Sequence, residues 1–380
     1  MADHPVAIAQ SLQALVRSCA DENEKQRHLA VPIAQAFAQH GLYRIAAPQP
    51  LGAESDPLTQ VATIEAIAQA DGSAAWNLMI GIESFGLIAP AFKQCAHLIE
   101  DPKTVLCSST AAVGRAQKVA DGYLVSGRWQ FVSGAHNAQL FGATVRLFDE
   151  QGNEEKVGNR YAIVELPDWQ IEDTWHVGGL RGSGSHDVVV NDVVVPTEHI
   201  VAPIGGTNHD SPLLNFPLGA RLSYNKVGVA WGLADAAINA FIELAEGKTP
   251  RFSSRSLQQR PRAQRAIAEA QVRFASGKAL VVNLLEDMWS VVQGRGHITS
   301  RERALFQLAC SDSVKGCIEA VNTLVEAAGT SANQLGHPLE RIRRDVVVVG
   351  QHTTVAAHHI EDAGRILLGL KPQEMMLGGV

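Results

Sequence analysis

The sequence predicts an α+β protein in three parts: helices, a small β domain, then a long helical bundle. Three textures of the 380-residue chain carry that expectation. Apolar residues recur at helical spacing up to about residue 103 and again from about residue 218. Between them, residues 104–203 break into short β-branched and aromatic runs separated by turn dipeptides. The expected divisions are therefore 1–103, 104–203 and 218–380, with 203–217 as a connecting loop.

In the first part, Leu12, Leu15, Val16 and Cys19 form one stripe, and Ile33, Phe37 and His40 form another that Gly41 ends. Asp56-Pro57 reads as an N-cap with a first-turn proline, ahead of Val61, Ile64, Ile67 and Ala68. Ser73 is placed to cap the next helix, which carries Trp76, Met79 and Ile80. The β runs read as antiparallel hairpins turning at Asp121-Gly122, Gln151-Gly152, Pro167-Asp168 and Asn191-Asp192. The last part reads as helices at 218–247, 261–293, 299–329 and 338–369, divided by Pro250, Pro261, Gly294-Arg295-Gly296 and Gly336-His337-Pro338. Clefts where a β module meets helical layers are the usual place for a cofactor.

Composition excludes several classes. Hydrophobic residues at 46% and charged residues at 19% are the balance of an ordered globular chain. A net charge of −7 leaves no basic excess for a phosphate backbone, so no nucleic-acid partner is expected. Cys19, Cys95, Cys107, Cys310 and Cys317 are scattered, with no C-x-x-C, as suits reduced thiols in a cytoplasm and no zinc site. Asp3 stands where a signal peptide would be basic. The most apolar long stretch, Gly72 to Phe92, contains Glu83 and is broken by Pro90, so no bilayer-spanning segment and no membrane partner are expected. The glycine-rich run 178–185 lies between β segments rather than opening a helix, which excludes a Rossmann loop. His358 and His359 would point about 100° apart on a helix, so a metal is not expected there.

Four strings, in order, resemble the acyl-CoA dehydrogenase superfamily, and within it the oxygenases that use separately supplied reduced flavin. Asp71-Gly-Ser-Ala-Ala-Trp76 is similar to their D-G-S-x-A-W string, and Gly127-Arg-Trp129-Gln-Phe131-Val-Ser133-Gly134 resembles G-x-W-x-f-x-S-G. Trp175 to Ser185, with Val195-Pro196, resembles the superfamily's G-x-R-x-t-x-S…V-P hairpin. Pro338 to Asp345, followed by His352, resembles the R-D…H segment of the oxygenase branch. The resemblance spans essentially the whole chain. It implies an N-terminal helical domain, a middle antiparallel β-barrel and a C-terminal helical bundle.

It also implies roles. A dehydrogenase needs a carboxylate to remove an α-proton. The superfamily places that Glu either about eight residues after the R-D pair, where this chain has Gln351-His352-Thr353-Thr354, or early in the first C-terminal helix, where it has Gly219-Ala220-Arg221-Leu222. Both are missing. His352 stands where the oxygenases have a histidine, suited by a pKa near 6.5 to act as a base toward a phenol or indole, or to donate a hydrogen bond to a C4a-hydroperoxyflavin. Strand spacing puts Trp129, Phe131 and Ser133 on one face, which the resemblance lays along the flavin with the Ser133 hydroxyl on N5. Ser108 or Ser109 would supply another hydroxyl, Arg251 (followed by Phe252) a hold on flavin phosphate across a subunit boundary, and Gly329 a close turn near the same end. Trp76 would wall the substrate pocket. Its oxygenase counterparts often carry a histidine seven or eight residues on, and Glu83 and Ser84 stand there instead.

The implied activity is that of the oxygenase component of a two-component flavin monooxygenase. It would take FADH2 or FMNH2 from an NAD(P)H:flavin reductase, use O2, oxygenate a small aromatic or heteroaromatic substrate and assemble as a homotetramer. The rival readings are an acyl-CoA dehydrogenase with an unusual base, and a helical assembly protein without catalysis.

Overall fold

The computed structural model describes residues 4–88, 94–203 and 209–373; Pro90 and Phe92 of the apolar stretch, and part of the 203–217 loop, lie outside them. Four helices open the chain: α1 (Pro5–Gln26), α2 (Val31–Gln39), α3 (Pro57–Ala68) and α4 (Gly72–Leu87). Asp56 caps α3 as expected, its carboxylate accepting from Thr59 N. The cap of α4 is Asp71 rather than Ser73. Its Oδ1 accepts from Ala74 N at 2.7 Å, and Ser73 is already inside the helix. Nearly every residue of α4 is buried, so it runs through the core with apolar surface on all sides.

The β part is one sheet, ordered β5-β6-β2-β1-β3-β4-β7, of β1 (Leu106–Val119), β2 (Gly122–Trp129), β3 (Leu140–Phe148), β4 (Arg160–Glu165), β5 (Gln170–Glu172), β6 (Asp187–Val195) and β7 (Ile200–Val201). Its ladders are antiparallel except one: β1 and β3 run parallel, with Leu106 opposite Leu140. After the β1–β2 hairpin the chain crosses past the start of β1 through residues 130–139 and can only enter β3 in the direction of β1. The end strands β5 and β7 do not pair with each other, so the sheet is not closed into a barrel. Asn191-Asp192 is not a turn. It sits inside the continuous strand β6, where Asp192 takes φ +52° at a bulge that shifts the register against β2. The valines on both sides keep their pairing, and the bulge absorbs the extra residue.

The C-terminal helices are α5 (Pro212–Asn215), α6 (Leu218–Gly247), α7 (Pro261–Gln293), α8 (Ser300–Ala328), α9 (Pro338–Gly350) and α10 (His358–Leu367). The single helix expected over 338–369 is two helices, parted by residues 351–357, and His352 lies in the break. Side chains hold that break open. The Thr354 carbonyl accepts from Ser223 Oγ at 3.0 Å and Gln307 Nε2 at 2.7 Å, so it needs no helical partner. By length and composition α6 meets the requirement for crossing a membrane, which the sequence reading passed over; here 61% of that window is buried inside the chain, as in a core helix.

Asp345 of α9 ties the bundle to the glycine-rich loop of 178–185. Its Oδ1 accepts from Leu180 N at 2.6 Å, and a Cβ on Gly179 would lie 2.3 Å from Arg344 O. Burial and the neighbouring Asp71 carboxyl push Asp345 up to about 8, and burial pushes Asp71 up to about 6. An acid whose folded pKa is raised favours the fold only while protonated. Stability should therefore fall as pH rises from about 4, through the folded value of Asp71 and on to that of Asp345. The Asp345→Asn variant, whose amide oxygen still accepts from Leu180, is expected to flatten the upper part of that fall in urea midpoints taken from pH 6 to 9. Asp345→Ala, which orphans the Leu180 N–H, should cost about 1–3 kcal/mol at every pH. An unchanged slope in the Asn variant would show that Asp345 does not hold the proton.

Candidate active site

A helix buried on all sides must find partners for each polar side chain it carries. On α4 the polar side chains bonded to other elements are Trp76, Asn77, Glu83 and Ser84, and their partners outline the candidate site. Trp76 Nε1 donates to Ser133 Oγ at 3.1 Å. Ser133 Oγ is 2.6 Å from Ser185 Oγ, which is 2.7 Å from Ser183 Oγ, a buried chain of three hydroxyls. The Trp76 ring meets His352 edge-on, with centroids 5.3 Å apart. Ser84 Oγ lies 2.8 Å from Ser108 Oγ on β1. Asn77 Nδ2 donates to the carbonyls of Gly182 and Ser183, seating the glycine-rich loop.

Glu83 is bound by a residue the sequence reading did not place in the site. Lys226 of α6 is 1% exposed, and its Nζ lies 2.6 and 2.5 Å from the two carboxylate oxygens. Asn225 Nδ2 stands 3.5 Å from Glu83 Oε1. Burial pushes the Glu83 carboxyl up and the Lys226 ammonium down, each opposed by the charge of the other. The available signal was a lysine within the apolar run from Tyr224 to Trp231. Arg221, in the first turn of α6, is also buried, and its Nη2 donates to Gly86 O at 2.7 Å.

His352 differs from the expected base. Thr354 N donates to its Nδ1 at 3.3 Å, and Thr354 Oγ1 lies 2.9 Å from the same atom. An Nδ1 that accepts from a backbone N–H has no proton, so the ring proton is on Nε2 and that edge of the imidazole is a donor. Burial first, and the charge of Lys226 second, push His352 down to about 3. The group is thus a neutral hydrogen-bond donor across the range where an ordinary histidine titrates.

Other expected residues are placed apart. Trp129 is wholly buried under the sheet, its Nε1 donating to Thr144 O and its ring edge-on to Phe141, and lies on no open face. Strand β2 ends at Trp129, and Phe131 takes φ +61° and stands 68% exposed against Trp175. Trp129, Phe131 and Ser133 therefore do not share a face, because the chain has left the sheet to cross toward β3. Ser108 reaches α4, whereas the Ser109 hydroxyl accepts from Ala111 N of its own strand, at 3.4 Å. Arg251 and Phe252 sit on an exposed turn after α6, the guanidinium 4.9 Å from a ring that is 95% exposed. Gly329 ends α8 at φ +66°, where Lys248 Nζ donates to the neighbouring Ala328 O. His359 is buried, with Nε2 at Thr353 O. Among the described residues no cluster of His, Cys, Asp and Glu suits a metal ion.

Residues 226–357 match the family model of the acyl-CoA dehydrogenase C-terminal domain. The flavin-dependent monooxygenase oxygenase subunit HsaA of Rhodococcus jostii is 30% identical over 369 residues, covering 88% of this chain and 91% of its own. The chain belongs to the flavin-dependent monooxygenase oxygenase components. Indole-3-acetate monooxygenase of Pseudomonas putida is 29% identical over 353 residues, covering 92% of this chain and 90% of its own. The crystal structure of the HsaA monooxygenase from Mycobacterium tuberculosis superposes with a TM-score of 0.86 at 25% identity, over 99% of both chains. The acyl-CoA dehydrogenase-like fold is thus shared along the full length.

In this oxygenase-component chain the buried ion pair is coupled to the fold. Lys226→Met leaves Glu83 unpaired and should cost about 3–5 kcal/mol in urea unfolding. The double substitution Glu83→Gln with Lys226→Met should recover most of that loss. Equal losses in the single and double variants would show that the two residues act independently.

Proposed function

We propose that this chain is the oxygenase component of a two-component monooxygenase that takes reduced flavin, FADH2 or FMNH2, from a separate NAD(P)H:flavin reductase and oxygenates a small aromatic or heteroaromatic substrate. The observation that carries this reading is the pairing of Glu83. It lies about two turns along α4 from Trp76, and Lys226, whose charge is felt at His352, holds both its oxygens. No carboxylate in that group is free to take an α-proton, so the dehydrogenase reading lacks its base.

The residues present suit a flavin. Exposed Phe131, edge-on to Trp175, offers a flat aromatic shelf, and the buried hydroxyl chain through Ser133 offers hydrogen bonds to the polar edge of a ring. With O2, the reduced flavin supplies the electrophilic oxygen when bound. One oxygen goes to the substrate and the other leaves as water. The chain's own part is to orient and to exclude water. Ser133 would donate a hydrogen bond at the edge of a bound flavin, His352 Nε2–H would donate into the same site, and Trp76, joined to both, would set their separation. Ser108, with Ser84, would line the same pocket. Arg251 would meet flavin phosphate bound by a neighbouring subunit of a homotetramer, with Gly329 near that end. A cytoplasmic site is where reductase and oxygenase would meet.

The direct test uses purified protein, reduced flavin and oxygen, with indole-3-acetate, resorcinol and 4-hydroxyphenylacetate as candidate substrates. Incorporation of one atom of labelled O2 into a product supports the reading. Anaerobic bleaching of bound flavin by an acyl-CoA ester would restore the dehydrogenase reading.

Ser133→Ala and His352→Ala each remove a donor, and the ratio of hydrogen peroxide released to product formed should rise by roughly 10- to 150-fold. His352→Asn, which keeps an N–H, should lose less than His352→Ala. Because His352 is held near 3, the wild-type rate should show no limb around pH 6.5. A limb there that vanishes in His352→Asn would return His352 to the role of base.

A further inference from the structure

The groups around Glu83 carry one more positive charge than negative, and that excess has no counterion among the described residues. Glu83 and Lys226 cancel each other wherever their shared proton sits. Arg221 remains. It is 9% exposed, and a guanidinium keeps its charge at any working pH. Its partners among the described residues are the Gly86 carbonyl, 2.7 Å from Nη2, and the hydroxyl of Tyr224, which itself donates to Gln60 Oε1. No described carboxylate lies within ion-pair reach of it, and Glu83, whose field it feels, is occupied by Lys226. A guanidinium has five N–H donors, so most of this one's are unspent. Burying such a group without an anion is costly.

The place matters as much as the charge. The first turn of α6 is fastened to the segment that carries His352 by Ser223, whose Oγ donates to Thr354 O at 3.0 Å. On its other side Arg221 touches α4 at Gly86, one turn beyond Glu83. Asn225 Oδ1, buried in the same group, accepts no hydrogen bond among the described residues.

We propose that Arg221 receives an anionic group of the substrate, and that the substrate is an aromatic compound bearing a carboxylate. The planar fork of the guanidinium matches a carboxylate with two parallel hydrogen bonds. Lys226 has a second task in this arrangement: by holding Glu83 it prevents Glu83 from neutralising Arg221. The orphan Asn225 oxygen suits an N–H or O–H on the ring. This inference rests on the monooxygenase reading for the identity of the site, and extends it to the substrate class.

The experiment measures binding without oxygen chemistry. The complex with reduced flavin is titrated anaerobically with indole-3-acetate and with its neutral amide, indole-3-acetamide. The wild-type protein is expected to prefer the acid by roughly 10- to 150-fold, the range of a charged hydrogen bond. Arg221→Met should bring the ratio close to one, and Arg221→Lys should keep most of it. The double substitution Glu83→Gln with Lys226→Met leaves the excess charge in place and should keep the preference. A wild-type protein with no preference for the acid overturns the proposal. So does an Arg221→Met variant that weakens acid and amide equally, or one that loses affinity for reduced flavin while the ratio stands, which would make the flavin the anion. If Arg221→Met does not fold, the wild-type ratio and the double variant decide. Strong preference for the acid with no oxygenated product in air would sink the monooxygenase reading and leave this one standing.

Discussion

The rest of the structure depends on α4 being buried on every side. Polar side chains on a helix in that position are cut off from water, and four of them dictate a neighbour. Trp76 fixes the crossing segment through Ser133, Asn77 fixes the glycine-rich loop, Ser84 fixes β1, and Glu83 fixes α6 through Lys226. Sheet, loop and bundle are thereby referred to one axis. The candidate site follows from that referral, since Ser133, Ser108 and Lys226 are brought together as the partners of α4.

Charge is then distributed by who is already engaged. Glu83 is removed from general-base chemistry by Lys226. Lys226 in turn adds to the pressure that keeps His352 neutral, and the backbone of Thr354 decides which edge of the imidazole carries the proton. Asp71 and Asp345 are raised by burial as well, yet they serve the seam between α4, α9 and the 178–185 loop. Perturbed carboxyls therefore mark two different jobs in this chain, and only their hydrogen-bond partners tell the two apart.

Much of this was legible in the sequence. The helices over 218–247, 261–293 and 299–329 were read within a residue or so, because long apolar periodicity bounded by proline and glycine is a strong signal. His352, Ser133 and Trp76 were singled out through resemblance, and they lie side by side in the structure. What failed to show was local geometry set from a distance. The break at 351–357 carries no proline or glycine, and is made by Ser223 and Gln307 on other helices. The face-sharing of Trp129, Phe131 and Ser133 assumed a strand that stops at Trp129, because the parallel β1–β3 pairing requires a crossing there. Lys226 was visible as a charge in an apolar run, but its partner lies 143 residues away.

The three-serine chain has a property that belongs to none of its members alone. Trp76 N–H already occupies an acceptor site on Ser133, and each hydroxyl has a single hydrogen to give. If Ser133 points its hydrogen outward, Ser185 is free to donate to it and Ser183 to donate to Ser185. If Ser133 points inward, Ser185 must turn its own hydrogen toward Ser183 or away. The three hydroxyls are therefore coupled, like a short ferroelectric wire, and the direction Ser133 takes sets which arrangements its two neighbours can adopt.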